Sequence, residues 1–180
     1  MWKATISGVD ELAPELRAAA QAGILAGVEK LGVEGQRLVQ QNIGTPYNGQ
    51  PPAVFRGNLM ASVIPSVTQE GDQAMTRLVI GVGPTLGADA YAAPVETGAR
   101  PHFPPASALV PWVMMKFGAD DEKTALSMAF AVAKSIAKRG TQGHEMFSRG
   151  LEQLEPMAAP LLEHEIAQAF MRLGFMGGQA

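Results

Sequence analysis

Between Asp10 and Asn42 apolar residues return every three or four positions, and no other stretch constrains the fold as strongly. Leu12, Leu16, Ala20, Ile24, Val28, Leu31, Leu38 and Val39 fall on one side of a helix of ordinary pitch. Asp10 and Glu11 stand at its start, where carboxylates suit the positive end of the helix dipole. The spacing therefore predicts a helix capped by Asp10 and running to about Asn42. Its middle is thin, with Ala18, Ala19, Ala20, Ala22, Gly23, Ala26 and Gly27. A glycine inside a helix destabilises it by roughly 1 kcal/mol against alanine, so close packing has to offset the loss. The close partner is either another element of the same chain or an element across a subunit boundary.

After that helix, GTPYNGQPPAVFRG from Gly44 to Gly57 holds three prolines and an Asn-Gly pair, which predicts a loop. Connections this long in a compact domain are uncommon, and often either functional or disordered. Asn58 is expected to cap a short helical turn leading into a strand. Strands are predicted over about 61–69 and 74–83, joined through Glu70, Gly71, Asp72 and Gln73 as a hairpin. On the second, Leu78, Ile80 and Val82 alternate onto a buried face. A third extended segment is expected around Tyr91 to Thr97, at an edge, because Pro94 has no N–H for a ladder.

Further on, Ser107 is expected to cap a helix to Phe117, with Pro111 in its donor-free first turn and Gly118 as its stop. Asp120, Asp121 and Glu122 open another helix, and Lys134, Lys138 and Arg139 close it before Gly140; this order suits the dipole. The turn GTQGHE leads to a last helical region, about Met146 to Leu173, expected to break or bend at Pro156 and Pro160. Phe147, Leu151, Leu154, Leu161, Ile166, Ala169, Phe170 and Leu173 supply its apolar stripe. The tail from Gly174 is expected to be flexible.

The totals narrow the function classes. At 180 residues the chain fits one domain. Charged residues make up 17%, below the usual quarter, which suggests surface covered by partners. A net charge of −3 argues against a protein that grips phosphates, though not against one that DNA merely passes through. Without cysteine there are no disulfides or thiolate metal sites. Acids stand where a secretory signal would have its apolar core, and AGILAGV is too short to span a bilayer, so a soluble protein is expected.

Catalytic patterns are sparse. Four residues beyond His144 and His164 stand Ser148 and Gln168, so neither opens a helical zinc motif. No serine sits in a Gly-x-Ser-x-Gly elbow. In GVGPTLG the third glycine, Gly87, is one place late for a phosphate loop and Pro84 removes a donor; no Gly-Lys-Ser/Thr occurs. No cofactor or metal is therefore expected. Glu96, Arg100 and His102 are the nearest thing to an acid–base group, but an ion pair of Glu96 with Arg100 tying the turn is the simpler reading. His144 and His164 read as surface or helix-end residues. Tyr47, Phe55, Phe103, Trp112 and Phe117 read as core and loop anchors.

Several segments nonetheless occur in a recognisable order. A long helix precedes a loop and Arg56-Gly57-Asn58-Leu59-Met60-Ala61-Ser62. A hairpin follows, then Tyr91-Ala92-Ala93-Pro94-Val95-Glu96-Thr97-Gly98 with Arg100, Pro101 and Phe103 behind it. Later come Gly140-Thr141-Gln142-Gly143, Phe147 and Arg149-Gly150-Leu151-Glu152. This order, over roughly residues 10–170, resembles the tail-completion or neck-protein family of long-tailed bacteriophages. The chain differs from the family pattern at Arg56, where threonine is usual, in its longer proline-rich loop, and in the two helices at about 107–139, which form an insertion.

The resemblance implies a single α+β domain over 1–180, with a small antiparallel sheet packed against the long N-terminal helix and additional C-terminal helices. It implies a structural virion protein, not an enzyme, assembled in the bacterial cytoplasm. Such a protein forms a homo-oligomeric, hexameric ring at the head–tail junction, beside stopper or adaptor, tail-terminator and tail-tube proteins, and DNA passes through without specific binding. A tail terminator, stopper or minor tail subunit is the alternative within the virion. A small hydrolase using Glu96 and His102, and a host-acting regulator, are the alternatives outside it.

A ring needs one patch on each subunit that fits a different patch on the next. Pro101, Pro104 and Pro105 restrict the segment ARPHFPP before docking, so less entropy is lost when it binds. Phe103 suits a pocket and Arg100 its rim. The expected contacts are thus Arg100, Pro101, Phe103 and Pro104, with Tyr47 and Phe55 in the earlier loop as a second set. The same segment capping its own subunit's core is the competing expectation.

Overall fold

The thin apolar stripe folds into α1, Pro14–Gly44, 31 residues long. The computed structural model describes residues 6, 8–53, 56–70, 75–84 and 87–174, without the side chains of Asp10 and Glu70. The helix starts later than expected. Pro14 takes its first position, where a missing N–H costs nothing, and Ala13 precedes it without a side-chain cap. Asp10 lies instead in a short 3-10 turn, Val9–Glu11.

The last helix, α6, spans Met146–Arg172 and lies along α1. Pro156 and Pro160 do not break it: both sit on its exposed side, where the carbonyls that lose a partner can reach water. Its buried positions are Met146, Gly150, Leu154, Ala158, Leu162 and Glu165. The expected stripe caught Leu154 but also took in Leu151 and Leu173, which are exposed. Small residues hold the seam because the helices approach closely. A Cβ on Gly23 would meet the backbone of Ile166, and one on Gly35 would run into Ile80 and Leu154. The thin middle of α1 is thus used within the chain.

On another side α1 carries the hairpin of β1, Val63–Glu70, and β2, Met75–Val82. They pair antiparallel, with Val63 opposite Val82 and Val67 opposite Leu78. Val67, Leu78, Ile80 and Val82 face the core as the alternation requires, while Ile64, Met75 and Val79 face outward. The expected turn at Gly71–Gln73 lies outside the described residues. Before β1, α2 spans Asn58–Ala61; its N-cap is Gly57, at φ 73°, and not Asn58.

The segment read as a third strand is a helix, α3, Asp89–Thr97. Four alanines in Ala88–Ala93 favour helix, Asp89 suits its first turn, and Pro94 removes only one internal donor. Two short strands follow the same joint: β3, Gly98–Ala99, pairs antiparallel with β4, Thr141–Gln142.

Between β3 and β4 lie α4, Ala106–Phe117, and α5, Glu122–Arg139. Asp121 caps α5 by accepting the Thr124 N–H at 2.9 Å, and Gly118 ends α4 at φ 65°. Ser107 does not cap α4. Pro105 precedes the helix, and Pro111 lies in its interior beyond the donor-free turn.

Two clusters form the main core. Val39, Ile43, Leu59, Val63, Ala88, Ala92 and Met146 fill one end. Val28, Leu31, Leu38, Leu154, Ala158 and Leu162 fill the α1–α6 seam. A side chain as enclosed as Ile43 or Met146 contributes about 1.5–3 kcal/mol by burial. The fold is α+β: a small antiparallel sheet packs on the long N-terminal helix, with further helices after it.

Candidate functional site

The two glycine-bearing segments, Val95–Gly98 and Gly140–Gly143, meet face to face. Gly98, at φ 78°, closes α3, and a Cβ there would collide with the Thr141 carbonyl; one on Gly140 would collide with that of Ala99. Only glycine lets the two backbones come this close. Beyond the ladder the His144 N–H donates to Val95 O at 2.8 Å and the Glu145 N–H to Glu96 O at 3.0 Å. The result is a narrow stem, with residues 100–140 projecting from it.

Glu96 locks the stem to α6. Its Oε2 accepts the Phe147 N–H at 2.9 Å, and its Oε1 accepts the Ser148 N–H at 3.0 Å and hydroxyl at 2.8 Å. A carboxylate here satisfies two of the helix's orphan donors and faces the positive end of its dipole. The expected pair with Arg100 does not form. His102 donates through Nδ1 to the Arg100 carbonyl, 2.9 Å away, and shares no hydrogen bond with Glu96 among the described residues. The three side chains therefore do not assemble an acid–base group.

Behind the stem lies a polar joint that sequence reasoning missed. Arg149 donates through Nη2 to the Asn42 carbonyl at 3.0 Å and the His144 carbonyl at 3.2 Å. The same nitrogen lies 3.2 Å from His144 Nδ1. Its guanidinium stacks 4.0 Å over the Tyr47 ring, and the Tyr47 hydroxyl donates to Glu145 at 2.6 Å. That carboxylate raises the Tyr47 phenol above its ordinary value. Asn42, itself buried, donates to the Met146 carbonyl and to Gln153.

Tyr47, half-buried, is tied to Arg149 and Glu145 within the chain. His144 is buried, not a surface residue; the Arg149 guanidinium approaches its Nδ1, and its Nε2 has no hydrogen-bond partner among the described residues. His164 is exposed, 4.0 Å from Glu165. Phe55 lies outside the described residues.

The projecting segment behaves differently. Arg100, Pro101, His102, Phe103 and Pro105 are exposed and Pro104 is half-buried. Phe103 remains 54% exposed, so the segment does not cap its own core. The helices beyond it carry a separate core of Ala106, Val113, Ala125 and Ala129, wrapped by Leu109, Val110, Trp112, Met128 and Val132. No residue of the main core joins this cluster. The α4–α5 pair is an arm, and Met115, Phe117 and Phe130 lie on its bare surface, 54%, 53% and 47% exposed. The sequence signal for it was the insertion itself, bounded by the two glycine segments.

Among the described residues no group of three His, Asp or Glu side chains could hold a metal ion, and no helix is long and apolar enough to cross a membrane. Comparison with protein-family models, curated proteins and solved structures finds no match for this chain.

Proposed function

We propose that the chain is a ring-forming structural protein of the head–tail junction of a tailed bacteriophage, with the segment 100–105 gripped by a neighbouring copy. The observation that carries this reading is the exposure of Phe103 on a proline-rich segment that leaves the β3–β4 stem at one end and enters α4 at the other. A large aromatic held in water by a rigid, proline-rich support suits a pocket on another molecule. Arg100, exposed beside it, suits the rim of that pocket. The order of segments in the sequence supplies the phage assignment, and the α+β fold is the one that order implies.

The mildly acidic balance agrees with a conduit. A channel that must let DNA slide is hindered by tight phosphate binding, which basic side chains bring through counterion release. Antibody labelling of the virion tests the assignment. Label at the junction between head and tail is expected. Label distributed along the tail tube, or an absence of this chain from purified particles, overturns it.

A further inference from the structure

Two surfaces of this chain remain unaccounted for by the segment 100–105. One is the outer stripe of α5. Leu126, Phe130 and Lys134 follow one another at four-residue steps, so they line one face of the helix. Leu126 and Phe130 are 37% and 47% exposed, and Lys123 and Lys138 flank them in water. The other is a groove of about 450 Å³ between α1 and α6. Val33, Met157 and Leu161 form its apolar bed, and Glu29 and Glu34 stand at its edge. Val33 is 64% exposed, an unusual position for valine on a helix that is otherwise well packed.

We propose that the α5 stripe of one copy docks into the α1–α6 groove of the next, with Phe130 on Val33 and Met157 and Lys134 toward Glu29. This contact rests on the ring reading and supplies it with a second grip. Charge favours it. The arm, residues 106–139, carries five basic and three acidic side chains, whereas the charged lining of the groove is Glu29, Lys30 and Glu34. Lys30, at the groove, is already bound to Glu165 at 2.5 Å, and Glu34 to Arg37 at 2.6 Å. Glu29 has no ion pair among the described residues and is the carboxylate left for an incoming lysine.

The geometry also selects the occupant. Stripe and groove are different patches and share no hydrophobic cluster within one chain, so neither covers the other in a single copy. A patch that fits a different patch on an identical molecule propagates head to tail, and closes into a ring where the rotation between copies closes. Such a contact has a property that symmetric dimers lack: a growing chain of copies keeps one free stripe and one free groove until the ring is complete.

Two exposed-site variants test it, Phe130→Glu and Val33→Glu, each checked for an unchanged unfolding midpoint. Each variant alone is expected to self-associate at least about 30-fold more weakly than the wild type, as for loss of an interface hot spot. Mixed in equal amounts, at a concentration where neither variant associates alone, they are expected to give a dimer of one chain of each kind and nothing larger. Both grips are then intact only where the unaltered stripe of one copy meets the unaltered groove of the other; every other contact keeps the segment 100–105 alone. Rings that persist in either variant, or a mixture that forms no such dimer, overturn this contact while leaving the ring reading standing. A wild-type chain that stays monomeric overturns the ring reading and this contact with it.

Discussion

Glu96 and Ser148, 52 residues apart, are joined twice: the N–H of Ser148 at 3.0 Å and its hydroxyl at 2.8 Å both donate to Glu96 Oε1. Through this pair the end of α3 becomes the cap of α6, and the stem that carries the arm is fixed to the longest seam of the fold. Glu96→Ala should lower stability by about 1–2 kcal/mol, the usual loss for a cap with charged hydrogen bonds. Urea unfolding measures it. A midpoint equal to that of the wild type would mean that the carboxylate holds nothing.

The stem itself depends on Gly98. Alanine there meets both an unfavourable φ and the Thr141 carbonyl. Gly98→Ala should destabilise by about 1–3 kcal/mol and open residues 100–140 to protease. Gly81→Ala is the comparison, because a Cβ at Gly81 meets open space. Equal digestion of the two variants would contradict the role given to the stem.

At Gly23 two effects oppose each other. Alanine improves helix propensity by about 1 kcal/mol, while forcing a methyl against the Ile166 backbone costs about 1–3 kcal/mol. Backbone yields less readily than side chain, so the second effect should win and Gly23→Ala should unfold at lower temperature. A rise in midpoint would show that α1 and α6 can move apart freely.

The Lys30–Glu165 pair sets a pH dependence. The hydrogen bond from Lys30 holds the Glu165 carboxyl below its ordinary 4.5, against the opposing effect of burial. A carboxyl depressed in the folded state stabilises above its unfolded value, and that stabilisation fades as pH falls through the folded one. Lys30→Met should therefore lower the unfolding midpoint near neutral pH, and the gap to the wild type should narrow in acid. A gap of constant size across that range would contradict the assignment.

How much of this was legible in the sequence follows from what each signal measures. Hydrophobic periods report burial, and they located α1 and the β1–β2 hairpin; acids at Asp121 and bases up to Arg139, in the order the helix dipole favours, located the ends of α5. They failed where backbone chemistry was overruled or silent. Pro94 argued for an edge strand, yet the surrounding alanines carried the segment into helix. Pro156 and Pro160 argued for a break, yet both face water and the α1 seam holds the helix together. Tyr47, Arg149 and His144 could not have been joined in advance: their contact crosses about 100 residues and follows from no local pattern. The partner of Glu96 was misread because Arg100 lies nearer in sequence, while the free N–H groups of α6 lie nearer in space.

Native mass spectrometry of the purified chain beside its Arg100→Ala/Phe103→Ala variant tests the central claim most directly. The expected result is a closed assembly of several 19.0 kDa chains for the wild type and a folded single chain for the variant. A variant that assembles as the wild type does would show that the segment between β3 and α4 is not what neighbouring copies hold.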